Sequence, residues 1–195
     1  PFAISAPRHA RPTIESTCHH PCDADRRDIS GPMSRVAPLI GVTRGDLPPC
    51  CVDCVFWQST RVVEDARAKE RWTKSVERDF GAWGRMLFEG SEFRGMIQYG
   101  PSEAFARSRA VPAGPPTNDA ALVTCVFMEG EDLAGSCERL LLEALADLKI
   151  RKLSAVEAFA LRHPDEVPLT HRFAGHHTLF DRDFLARFGF TPVRS

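Results

Sequence analysis

The sequence predicts one α+β domain whose strands and helices follow the order β-α-β-β-loop-β-α-β-α-β. Three observations carry that expectation. Residues 121–128 form an uninterrupted apolar run, as a strand covered on both faces requires. After it, Leu140, Leu141, Ala144, Leu145 and Leu148 recur at helical spacing. Earlier, two strand-like runs flank Glu89-Gly90-Ser91-Glu92, a reversal with glycine in the turn.

Residues 1–32 read differently from the rest. Pro1, Pro7, Pro12, Pro21 and Pro32 interrupt every helical register, and no strand period survives between them. That segment is expected to be a disordered N-terminal extension, with Met33 a candidate start and residues 33–195 the folded domain. Cys51-Val52-Asp53-Cys54-Val55-Phe56-Trp57 has the composition of a first buried strand. Residues 62–80 read as a helix with Ala66, Trp72, Val76 and Phe80 on one face, stopped by Gly81 and Gly84. Strands follow at 84–89 and 93–99. Pro112, Pro115 and Pro116 then mark residues 100–118 as a long loop. A helix over 133–148 leads to a strand over 154–160 and an irregular polar stretch over 161–177. A last helix, 179–188, ends at Gly189 before a strand over 190–193.

Composition excludes several classes of function. The 25 basic and 26 acidic side chains nearly cancel, so no electrostatic footprint for nucleic acid exists. No apolar run reaches the ~20 residues of a membrane-spanning helix, and the first thirty residues lack the apolar middle of a secretory signal. Seven cysteines is an odd number for a disulfide framework. Reduced thiols and a cytoplasmic location are the expectation.

The closing phrase Phe184-Leu185-Ala186-Arg187-Phe188-Gly189-Phe190-Thr191-Pro192-Val193 resembles the C-terminal signature of the GNAT N-acetyltransferase superfamily. There a helix ends at a glycine and the next strand begins Gly-Phe-x-x-Val. The order of elements from about Val52 onward is similar to that family's as well. The resemblance implies a mixed, mostly antiparallel sheet flanked by helices, with one further strand after residues 190–193; the sequence stops at Ser195, so that strand is either missing or truncated away. It implies acetyl-CoA as co-substrate and an amine of a small molecule or protein as acceptor. A homodimer is an allowed assembly. The acceptor would enter over the 100–118 loop and the first helix.

In such a domain the strand at 121–128 splays from its neighbour through a bulge, and backbone groups of Val126, Phe127 and Met128 pair with the pantetheine arm. The next loop normally reads Arg/Gln-x-x-Gly-x-Gly/Ala and holds pyrophosphate on its N–H groups and on the helix N-terminus. Here the matching window is Asp132-Leu133-Ala134-Gly135-Ser136-Cys137. Gly135, Ser136 and Cys137 take the cofactor-binding positions. Asp132 stands where a basic or amide residue belongs, with Glu129 and Glu131 beside it; Arg139, one turn on, is the compensating cation. Glu131 and Asp132 serve equally as ordinary helix caps. Loss of the pyrophosphate grip would leave a non-catalytic binding or regulatory module.

Acetyl transfer needs a base for the acceptor ammonium. Glu129, just past the central strand, is the candidate; its alternative is a solvated loop charge. Leu185 occupies the position where the family commonly carries a tyrosine acid, and Tyr99, the one tyrosine of the chain, lies on another strand. His176 and His177 are secondary candidates for the base. Cys51 and Cys54 have zinc-knuckle spacing, with Cys18, His19, His20 and Cys22 as possible co-ligands, against a plain core role. Trp57, Trp72 and Trp83 read as core packing.

Overall fold

Side chains alternating between two covered faces of the central hairpin set the two layers of the molecule. The computed structural model describes residues 2–6, 34–173 and 175–194. Strands β3 (Gly84–Glu89) and β4 (Glu92–Pro101) pair antiparallel around Gly90, whose φ of 60° needs glycine. Met96 faces one side with Trp83, Met86 and Val76; Ile97 faces the other with Val123 and Leu140. Helix α2 (Ala66–Asp79) covers the first face and α3 (Leu133–Ile150) the second. At Gly95 an added Cβ would lie 2.6 Å from the Phe127 carbonyl oxygen and 3.2 Å from Leu140 Cδ1, so only glycine admits this approach of strand and helix.

The remaining elements are β1 (Phe2–Ala6), β2 (Ser34–Pro38), α1 (Pro49–Val52), β5 (Ala120–Met128), β6 (Ala155–Leu161), β7 (His176–His177), β8 (Phe180–Asp181), α4 (Arg182–Ala186) and β9 (Thr191–Arg194). They form one sheet in the order β2-β3-β4-β5-β6-β1-β9, with β7 on β5 and β8 on β6. Among the described residues only β5–β6 and β6–β8 are parallel. The α+β class and the mostly antiparallel mixed sheet are therefore as expected.

Four local differences have physical causes. Residues 51–57 are not a strand. Pro48 and Pro49 preset a helical start, so α1 forms instead; Cys51 is buried from that helix, and Val55 and Trp57 from the irregular turn after it. The helix expected from residue 62 begins at Ala66, where the Asp65 carboxylate caps the Ala68 N–H at 2.9 Å, leaving Val62 and Val63 exposed. The last helix shrinks to Arg182–Ala186, because residues 180–181 extend β6's neighbour and Asp181 caps the Phe184 N–H at 2.6 Å. Residues 2–6, within the segment read as disordered, are a strand antiparallel to both β6 and β9. Thus β1 lies beside β9, where the sequence reading leaves the sheet one strand short.

Candidate functional site

A bulge and a divergence shape the centre of the sheet. Gln98 lies opposite Cys125 and Tyr99 opposite Val123, so Thr124 is an extra residue that bends β5. Beyond it β5 and β6 part. Their parallel pairing spans only Ala120–Val123 against Ala155–Ala158. Past that point Val126 and Phe127 pair with His177 and His176, while Ala160 and Leu161 pair with Phe180 and Asp181. Residues 175–181 therefore fill the opening, and the Met128 N–H donates to the Gly175 carbonyl at 2.7 Å. The backbone edge at Val126, Phe127 and Met128, expected to face a pantetheine arm, is held here by the chain itself.

The start of α3 is likewise engaged from within. Asp132 caps the helix by accepting the Gly135 N–H at 2.8 Å. A Cβ on Gly135 would collide with that carboxylate, so this glycine makes room for a cap. A cavity of about 390 Å³ opens beside it, lined by Glu89, Arg94, Glu129, Gly130, Glu131, Asp132 and Ser136. Its one cation among the described residues, Arg94, is bound to Glu89 at 2.8 Å and Glu92 at 2.6 Å. Four carboxylates against one committed guanidinium oppose a pyrophosphate. Arg139 does not compensate, since it donates to the Ser34 carbonyl on β2 at 3.3 Å. Cys137 is buried against the sheet, and burial pushes its thiol up to about 12. Of the expected site residues, the structure gathers Glu129 and Ser136 around one cavity, caps Gly135, and sends Cys137 and Arg139 elsewhere.

The secondary candidates divide in the same way. The Tyr99 hydroxyl donates to Asp147 Oδ2 at 2.7 Å, and Asp147 is held by Arg85 and Arg151 at 2.6 Å each. That network belongs to the α3 face and ties helix to sheet. Leu185 is fully buried in the core. His176 lies along Phe127, ring centres 6.3 Å apart, and partial burial lowers its pKa below the usual value. Among the described residues no cluster of three potential metal ligands occurs; Cys18, His19, His20 and Cys22 lie outside them. Trp72 and Trp83 meet edge to face, 5.5 Å between centres, under α2.

One functional group escaped sequence reasoning. Lys69 sits on the buried face of α2, three residues before Trp72 and seven before Val76, with only 6 % of its surface exposed. Its Nζ lies 3.4 Å from Gln98 Oε1 and 5.1 Å from the rings of both Trp72 and Trp83. Gln98 in turn donates to the Thr124 hydroxyl at 2.8 Å and accepts from Gln58 at 3.3 Å. Burial lowers the Lys69 pKa, and the acidic groups acting on it are the thiols of Cys54, Cys125 and Cys51. The signal was available: a lysine in register with an aromatic stripe. Between α2 and residues 41–52 runs a cavity of about 510 Å³ that Lys69 and Trp83 line from below.

No protein-family model matches the chain, and no curated protein or solved structure matches it. The class therefore rests on the fold and the site. This is an α+β protein with a mostly antiparallel mixed sheet, a bulged central strand, and a divergence of its parallel strand pair beside a helix start. Among the described residues no helix is long and apolar enough to cross a membrane.

Proposed function

We propose that the chain is an acyl-CoA-dependent N-acetyltransferase of GNAT type, moving an acetyl group to an amine of a small molecule or protein. The observation that carries this reading is the divergence of β5 from β6 past the Thr124 bulge, with α3 starting just after β5 ends. With residues 175–181 moved away, such a divergence would offer a backbone edge to an amide-bearing arm. Residues 175–181 would have to leave β5 for the arm to enter, and Glu129 would then serve as base at the strand's end.

A second reading has its own support. The self-paired edge at Val126–Met128 and the helix start capped by Asp132 favour a non-catalytic GNAT-like module without cofactor. Titration calorimetry of acetyl-CoA and CoA into the full chain decides between them. Micromolar binding supports the enzyme; a folded chain that binds neither supports the module. Asp132→Asn sharpens the test, because asparagine caps a helix as well as aspartate but adds no charge. If α3 receives pyrophosphate, this variant binds CoA about 2- to 5-fold more tightly, the equivalent of ~0.5–1 kcal/mol.

A further inference from the structure

The cavity over α2 holds a nucleophile that acyl transfer does not use. Lys69 lines it with no carboxylate ion pair among the described residues; the neighbours of its amine are an amide oxygen, thiols and two indole rings, one of them the Trp83 ring that lines the same cavity. A protonated amine kept this far from water without a counter-ion is costly, whereas a neutral one has its lone pair free for attack. The cavity walls supply the complementary half. Arg44 is bound to Asp53, and Lys74 to Glu70 at 2.6 Å. Glu77 accepts from the Gly41 N–H at 2.8 Å and the Trp83 indole at 3.1 Å. Arg67, two residues before Lys69, lines the same cavity and has no ion pair among the described residues.

We propose that this cavity captures a small anionic aldehyde or ketone, Lys69 forming a Schiff base with its carbonyl carbon while Arg67 holds its acid group. The Lys69 amine adds to the carbonyl to give a carbinolamine. Loss of one water, made from the carbonyl oxygen and both amine protons, leaves the neutral imine. No oxidant or metal enters the step. Gln98 Oε1, 3.4 Å from the amine, accepts an N–H bond and fixes the attacking nitrogen. The thiols of Cys51, Cys54 and Cys125 face the same amine. Burial raises the Cys51 thiol well above its ordinary value and pushes Cys125 up to about 12, so these two remain protonated bystanders near neutral pH. The reading is independent of acyl transfer and survives or fails without it.

The test uses the full chain with glyoxylate and sodium cyanoborohydride at pH 7, followed by peptide mapping of the N-carboxymethyl group. The chain has four lysines, Lys69, Lys74, Lys149 and Lys152, so every site is resolved. Lys69 is expected to carry most of the label at partial reaction, ahead of the three exposed lysines, because burial keeps more of its amine unprotonated. Arg67→Ala is expected to slow Lys69 with glyoxylate and leave its rate with neutral propionaldehyde unchanged. Labelling of Lys69 no faster than the others in the folded chain overturns the site. Equal glyoxylate rates with and without Arg67 overturn the anionic ligand.

Discussion

Single side chains decide what this protein can hold, and Lys69 is the most informative of them. Its amine is easier to deprotonate in the folded chain than in the unfolded one, where it approaches the ordinary 10.5. Above 10.5 neither state is charged and burial costs nothing. As pH falls from there, the unfolded chain binds the proton first, so the folded state loses ground until it too is protonated. Lys69→Met keeps the volume and removes this dependence. Urea unfolding from pH 7 to 10 should show Lys69→Met more stable at pH 7, with the gap to the native chain closing as pH rises. A gap independent of pH would mean that the amine is not desolvated. Asp132 illustrates the opposite case, a charge satisfied by its own helix and therefore unavailable to a ligand.

At the scale of elements, the short strands β7 and β8 matter more than their length suggests. They close the gap between β5 and β6 and satisfy backbone groups that would otherwise be orphaned inside the sheet. A cofactor that pairs with β5 must displace them. Cross-strand partners in an antiparallel pair lie within reach of a disulfide. A Val126→Cys/His177→Cys chain, oxidised, therefore locks the opening shut. If the enzyme reading holds, locking should lower CoA affinity at least about tenfold, ~1.4 kcal/mol, and reduction should restore it. Undiminished binding by the locked chain would place any cofactor elsewhere. The irregular stretch before these strands is anchored by Arg172, which contacts Asp181 at 3.3 Å and Asp183 at 3.2 Å, so a loop of polar residues still has a defined course.

For the whole molecule, the sheet is continuous only because β1 joins β6 to β9. Removing residues 1–6 would take away the strand paired with β9 and leave β6 paired on its β5 and β8 side alone, exposing two strand edges. That deletion should lower the melting temperature by several degrees, the shift of about 1–2 kcal/mol in a domain of this size, and raise aggregation on heating. An unchanged melting temperature would show that β1 contributes nothing to stability. The expectation of disorder over residues 1–32 failed at these five positions for a definite reason. Proline spacing reports where helices break, whereas Phe2–Ala6 carries none, and a strand acquires its hydrogen bonds from distant partners.

Local chemistry was legible in the centre of the fold. The Gly90 hairpin, the apolar β5, the leucine stripe of α3 and the capping role of Asp132 each follow from neighbouring residues, because turns, caps and periodicity are short-range. The sequence by itself thus determined the α+β class, the central hairpin, β5, α3 and the acidity of the loop before α3. Only tertiary structure decided that β1 completes the sheet, that residues 175–181 occupy the opening beside β5, and that Lys69 meets Gln98 under two indoles. Each of these joins residues far apart in the chain, and which partner a buried amide or amine finds depends on the packing of the whole.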